Sequence, residues 1–352
     1  MADQQVFLTG VVEGFYGRSW SHPERLAYAA YLPKLGLNSY LYCPKNDPYL
    51  RKQWAEEWPQ NTFIEMRELA EAYGKRQLLW GVGLSPYALY QSYGAAERAA
   101  LKTKVEYLTT LNMPLLAILF DDMPGAIDDL AARQAEIVTD VCHWAGGSRV
   151  LVCPTYYSFD PVLEKHFGAM PQRYWGQLGA ELPEGVDVFW TGNKVCADAI
   201  TCEDIDSIVA ELGRPVILWD NYPVNDGALR SRHLYTSALA DRERQPAASL
   251  TGHLCNPMNQ PLLSLLALAG LGELYNGEPV DCDWLAKVLG VEAYQQLLMD
   301  GPELQQLGLA GIDDVRKQQL LDKYSTLPGS AAAEVAAWLR GEYTFDPACL
   351  TD

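Results

Sequence analysis

Two adjacent carboxylates, Asp121 and Asp122, stand directly after the apolar run Leu115–Phe120. A run that is apolar at every position reads as a strand buried on both faces. Carboxylates at its exit are costly unless they face a polar cavity or find partners. A neighbouring pair favours one ionised and one protonated member, the arrangement that acid/base chemistry uses. A single aspartate there would read as a cap or a turn before Met123-Pro124. The tandem points to chemistry, whereas Asp128 and Asp129 precede a helical stretch and read as caps.

Lys45 follows a proline at the end of another short run, and Trp219-Asp220-Asn221 closes a third, with Asn225-Asp226 just beyond. An asparagine can both donate to and accept from a sugar hydroxyl. Tyr157 and Trp190 offer faces on which a sugar could lie. Taken singly, each reads equally well as a solvated side chain, a turn residue or a core aromatic. The histidines at 22, 143, 166, 233 and 253 show no spacing suited to a metal site or a catalytic dyad, and His22 sits at a helix start.

Position makes these residues informative. Eight short runs read as strands: Val6–Val12, Ser39–Cys43, Leu78–Val82, Leu115–Phe120, Arg149–Cys153, Asp187–Trp190, Val216–Trp219 and Leu250–Cys255. Helical patterns intervene at His22–Leu35, Thr62–Tyr73, Ala96–Leu111, Asp128–Trp144, Gln172–Leu178, Cys202–Leu212 and His233–Ala240, and Pro261–Leu271 follows the last strand. Such alternation predicts an α/β fold, a (β/α)8 TIM barrel, with its active site at the carboxyl ends of the strands. The polar and aromatic clusters stand there: Glu13–Trp20, Pro44–Asp47, Asp121-Asp122, Pro154–Tyr157, Thr191–Lys194, Asp220–Asp226 and Asn256–Asn259. A doubly wound sheet would carry a glycine-rich phosphate loop after its first strand. Glu13-Gly14-Phe15-Tyr16-Gly17 lacks that spacing. Nor does Asn256-Pro257-Met258-Asn259 supply a phosphate site after strand eight. Residues 1–275 are therefore expected to form the barrel. Residues 276–352, helical in pattern at Trp284–Leu289, Ala293–Met299, Ile312–Ser325 and Ala331–Leu339, form a small C-terminal helical appendage packed on it.

The 352 residues carry a formal charge of −18. That charge, with no basic stripe, argues against nucleic acid and anionic lipid as partners. No run approaches the ~18 apolar residues of a membrane span. The polar start Met1–Gln5 has no leader pattern. The eight cysteines are scattered, without C-x-x-C or zinc spacing, and read as free buried thiols of a cytoplasmic protein. No metal or organic cofactor is expected.

The ordered segments Val12–Gly17, Tyr42–Tyr49, Leu119–Met123, Cys153–Thr155, Trp190–Val195, Trp219–Asn221 with Asn225-Asp226, and Leu254–Pro257 resemble glycoside hydrolase family 84, the O-GlcNAcases and related β-N-acetylglucosaminidases. The resemblance covers roughly residues 6–275. It implies a retaining β-N-acetylglucosaminidase acting through an oxazoline on a terminal β-linked N-acetylglucosamine, carried by protein or by another aglycone. Asp121 would orient and polarise the 2-acetamido group, and Asp122 would be general acid and then base. The Gly14 carbonyl and Lys45 would hold sugar hydroxyls, and Asp226 and Asn256 the outer ring hydroxyls. Tyr157 would bond near the oxazoline, Asn221 at the acetamido oxygen or anomeric region, and Trp219 would wall the acetamido methyl. Tyr156 and the loop Ser158–Pro161 depart from the family pattern on the expected leaving-group side. A sugar-binding protein on a decayed barrel and a hyaluronidase-like glycosidase are the alternatives.

Overall fold

The structure, a computed structural model, describes residues 5–246 and 248–351. Most of the polar start, residues 1–4, lies outside the described residues. Strands β1 (Leu8–Glu13), β2 (Ser39–Tyr42), β3 (Leu79–Leu84), β4 (Leu115–Leu119), β5 (Arg149–Cys153), β6 (Asp187–Trp190), β7 (Val216–Asp220) and β8 (Leu250–Cys255) pair in parallel in chain order, and β8 closes on β1. Every expected strand is present, with small shifts at some ends. Helices α1 (His22–Lys34), α2 (Gln60–Gly74), α3 (Ala95–Thr109), α4 (Leu130–Trp144), α5 (Val162–Phe167), α6 (Tyr174–Glu181), α7 (Cys202–Leu212) and α8 (Pro261–Asn276) lie between and after the strands. The apolar β4 is buried along its whole length, and the fold is a (β/α)8 barrel.

One expected helix is absent. His233–Ala240 has no helical turn, and the described residues of the β7–β8 crossover hold only a three-residue 3-10 turn at Arg230–Arg232. Its backbone donors go elsewhere: Leu234 N–H to Leu304 O, Ser237 N–H to the Gln305 side chain and Leu239 N–H to Ala267 O. Gly270 of α8 permits that approach, since a Cβ there would stand 2.4 Å from Leu239 N. Tertiary partners outbid a weak helical period. Conversely, α5 was not foreseen.

Helices α9 (Cys282–Leu289), α10 (Val291–Gln306), α11 (Gly308–Gly311), α12 (Asp314–Thr326) and α13 (Ser330–Leu339) follow the barrel. Glu334 of α13 is buried and accepts from Leu262 N–H and Leu263 N–H in the first turn of α8. A carboxylate there satisfies two backbone donors that no intrahelical carbonyl can reach. Burial pushes its carboxyl up to about 8, against the pull of those two hydrogen bonds. The folded chain thus keeps a proton that the unfolded chain releases above its ordinary value of 4.5. Stabilisation by the protonated group is complete at low pH and is lost as pH rises toward about 8. Urea unfolding should show wild type losing stability relative to Glu334→Gln across that window. A gap independent of pH would refute the assignment.

The described cysteines are all free, but only Cys43, Cys153 and Cys255 are buried, and Cys282 is exposed. The expectation of free buried thiols is corrected in part: Cys282, the first residue of α9, is exposed, and the remaining four are half-buried. Among the described residues no helix is long and apolar enough to cross a membrane.

Candidate active site

The carboxyl ends of the strands surround an open-mouthed cavity. Gly14, Lys45, Asp121, Asp122, Tyr157, Trp219, Asn221, Asp226 and Asn256 all line it. Barrel closure brings them together from six strand ends, because side chains just past each strand have only the rim to occupy.

The two aspartates have different surroundings. Asp121 is buried, and its Oδ2 forms an ion pair with the buried Lys45 ammonium. Its Oδ1 is buried with no hydrogen-bond partner among the described residues. Lys45 therefore spends charge on Asp121, a contact the sequence did not suggest. Burial, the largest single influence, would lower the lysine pKa, but Asp121, joined by Asp122 and Cys43, raises the value on balance. Asp122 is partly exposed and holds the left-handed φ of +57°. Such a conformation costs a non-glycine residue about 1–3 kcal/mol and persists only where surrounding structure enforces it. Tyr16 hydroxyl donates to its Oδ2 at 2.7 Å, and Tyr157 hydroxyl to its Oδ1 at 3.1 Å. Burial, reinforced by Asp122, pushes both phenols well above their ordinary value. They remain protonated donors.

The opposite wall is a hydrogen-bonded set. Trp219 Nε1 and Asn256 Nδ2 both donate to Asn221 Oδ1 at 3.0 Å, and Asn221 Nδ2 donates to Val195 O at 2.9 Å. The Asn221 acceptor is filled, leaving one N–H to offer a ligand. Asn256 Oδ1 accepts from Gly14 N–H at 3.2 Å, and Asp226 Oδ2 from Tyr16 N–H at 2.7 Å. Glycine is required at position 14, where a Cβ would lie 2.1 Å from the Trp219 ring.

Several rim residues turn away. Glu13 is buried in a forked ion pair with Arg25 and accepts from Tyr40 hydroxyl. Asp47 accepts from Tyr42 hydroxyl and Trp58 Nε1. Trp190 is core, packed against Phe159 and Trp175. Asp129 stands at the start of α4, yet its carboxylate pairs with Arg133 at 2.8 Å and makes no capping bond. Tyr156 does not line the cavity; its hydroxyl donates to Gly168 O at 2.7 Å. The 158–161 loop reaches the cavity indirectly, through Asp160 Oδ2 accepting from the N–H of the lining residue Val195.

Asp220, His253 and Cys255 bring their ligand atoms within 4.8 Å of one another, a grouping that wide sequence separation concealed. Arg242 already engages both Asp220 oxygens, at 2.8 and 2.9 Å, and His253 Nε2 lies 3.0 Å from Oδ2. Burial pushes the Asp220 carboxyl up, but the Arg242 and His253 contacts bring it down to about 2. With its carboxylate occupied by the guanidinium, the group reads as a buried ion-pair network that braces the strand between Trp219 and Asn221.

Sequence reasoning missed Tyr16, although it sits inside the Val12–Gly17 segment. It also missed Cys349 and Thr351, which line the cavity from beyond α13 with no motif to mark them. Cys349 Sγ lies 3.8 Å from Asp226 Oδ1, and the buried Thr351 side chain stands beside Tyr157.

A family model described as beta-N-acetylglucosaminidase matches residues 9–283. The chain is 29% identical over 260 residues to protein O-GlcNAcase of Mus musculus and, equally, of Rattus norvegicus. Each match covers 71% of this chain, which spans 28% of the length of those relatives. A solved variant of the Thermobaculum terrenum O-GlcNAc hydrolase superposes with a TM-score of 0.76 at 27% identity, over 96% of this chain and 81% of that one.

Proposed function

The chain belongs to the β-N-acetylglucosaminidase family, and from that premise we propose that it is a retaining glycoside hydrolase removing terminal β-linked N-acetylglucosamine by substrate-assisted catalysis. The observation that carries the reading is the asymmetry of the tandem pair. Asp121 has one oxygen tied to Lys45 and a buried Oδ1 without a partner, beside a tyrosine-held Asp122. An unpaired buried acceptor is costly, and a substrate amide N–H would satisfy it.

In the first step the acetamido oxygen attacks the anomeric carbon. Asp121 accepts the amide N–H and stabilises the positive charge of the forming oxazolinium. Asp122 gives its proton to the departing glycosidic oxygen as that bond breaks. In the second step Asp122 takes a proton from water, whose oxygen attacks the anomeric carbon and reopens the ring with net retention. Two ordinary catalytic carboxylates would flank the anomeric carbon about 5–5.5 Å apart. An Asp121 engaged by Lys45 and adjacent in sequence to Asp122 suits the assisting role better than that of nucleophile. The Gly14 carbonyl and Lys45 would hold ring hydroxyls, and Asp226 and Asn256 the outer ones. Tyr157 would bond near the oxazoline, Asn221 at the acetamido oxygen, and Trp219 would wall the methyl. A protein-linked sugar fits the names of these relatives, the protein O-GlcNAcases.

The test is turnover of a 4-nitrophenyl β-N-acetylglucosaminide, with the first-formed anomer read by NMR. Release of the β anomer supports the reading. No turnover would leave a sugar-binding barrel, and release of the α anomer an inverting enzyme. Because Cys349 and Thr351 stand against Asp226 and Tyr157, they compete with the sugar for its own ligands. The double variant Cys349→Ala, Thr351→Ala should show a several-fold lower KM with kcat held, since a blocked fraction lowers apparent affinity. An unchanged KM would mean that these side chains leave the sugar's space free.

A further inference from the structure

We infer that Arg51, which does not line the cavity, is a positioning residue for the acid/base carboxylate, acting through the backbone of Asp122. The inference rests on the function proposed above. Arg51 follows the short turn Pro48–Leu50 in the β2–α2 connection, the loop that also carries Lys45. Its side chain is buried. Nη2 donates to the Asp122 backbone carbonyl at 3.0 Å, and Nη1 donates to Ser85 Oγ at 2.8 Å. The guanidinium lies over the Tyr87 ring, 5.4 Å from its centroid. Ser85 N–H donates to Leu50 O at 2.8 Å, which ties the exit of β3 to the same turn.

These contacts meet at Asp122, where the site's backbone is strained. Asp122 has a left-handed φ, and its carbonyl must then point away from the ordinary strand direction. Arg51 supplies a charged donor at that carbonyl while its other amino group is anchored to Ser85. A planar fork does both at once, whereas a lysine ammonium is a single point with no fixed second arm. Tyr16 and Tyr157 grip the Asp122 carboxylate from the cavity side, and Arg51 grips the backbone from behind. The carboxyl group is thereby aimed rather than merely placed.

The full chain, Arg51→Lys and Arg51→Ala are compared on two aryl β-N-acetylglucosaminides, one with a good and one with a poor leaving group. General acid assistance matters only where the leaving oxygen needs a proton. If Arg51 aims the acid, kcat/KM for the poor leaving group should fall by about 10- to 100-fold, part of the range a positioned acid supplies. The good leaving group should lose less than about threefold, and KM should move little. Arg51→Lys should lie between wild type and Arg51→Ala, and added guanidinium should partly restore Arg51→Ala on the poor substrate alone. Thermal melting identifies any unfolded fraction, which would scale both substrates equally. Equal losses on both substrates, or no loss on either, in an active wild-type background would overturn the positioning role alone. A wild-type chain inactive on both substrates would instead sink the glycosidase reading, and this inference with it.

Discussion

Asp122→Asn is expected to lower kcat/KM on N-acetylglucosaminides with poor leaving groups by about 10²- to 10⁴-fold, the range that a positioned general acid contributes. With a strongly activated aryl leaving group the loss should be far smaller, because the departing oxygen then leaves without protonation. The substitution is unusually clean at this position. Asparagine tolerates the left-handed region better than most residues, so the φ of +57° can survive. Its carboxamide can still accept from one of the two tyrosine hydroxyls and donate to the other. What disappears is the ionisable carboxyl proton that an acid catalyst donates. Steady-state rates on a graded series of aryl glycosides give the answer. Equal factors across the series would remove Asp122 from the acid role.

Asp121→Asn is expected to raise the barrier by about 2–4 kcal/mol, the effect of losing one preorganised electrostatic group. The loss should appear in kcat. Under the proposed mechanism the buried Asp121 carboxylate faces the amide as it becomes cationic, and an asparagine oxygen carries too little charge to replace it. The same substitution strips the buried Lys45 of its counter-charge. Breaking one half of a buried pair typically costs about 3–5 kcal/mol of stability, so urea unfolding should move as well. Adding Lys45→Met to Asp121→Asn should recover stability without recovering rate, which separates the two effects. On the wild-type protein, progressive fluorination of the substrate's acetyl group should slow turnover steeply, because it weakens the attacking carbonyl oxygen at little cost in size. A flat fluorine series, or a covalent ester trapped on Asp121, would replace the assisted mechanism with the two-carboxylate one.

Barrel architecture and rim composition were legible in the sequence, because both follow from local constraints. A strand buried on both faces must be apolar throughout, and Leu115–Leu119 can satisfy no other environment. A carboxylate at such an exit must have somewhere polar to go, so Asp121 and Asp122 announced a cavity before any fold was known. Repetition of strand and helix left few closed topologies. Residues 14, 45, 121, 122, 157, 219, 221, 226 and 256 could thus be named from position and family likeness, and they line one cavity.

Partnerships were decided only by the tertiary structure. Lys45 meets Asp121 across 76 residues of chain, Tyr16 meets Asp122 across 106, and Cys349 meets Asp226 across 123. No local pattern encodes such pairings, since closure of the barrel sets which strand ends face each other. The same holds for direction. Strand sequence alternates sides, but the turn after each strand decides whether its polar residue looks into the cavity, as Asn221 does, or behind it, as Asp220 and Glu13 do. The His233–Ala240 segment carried a helical period, yet its backbone donors found carbonyls and a side chain on α8 and α10 instead. Local propensity is worth a few tenths of a kcal/mol per residue, and tertiary hydrogen bonds and packing override it wherever the two conflict.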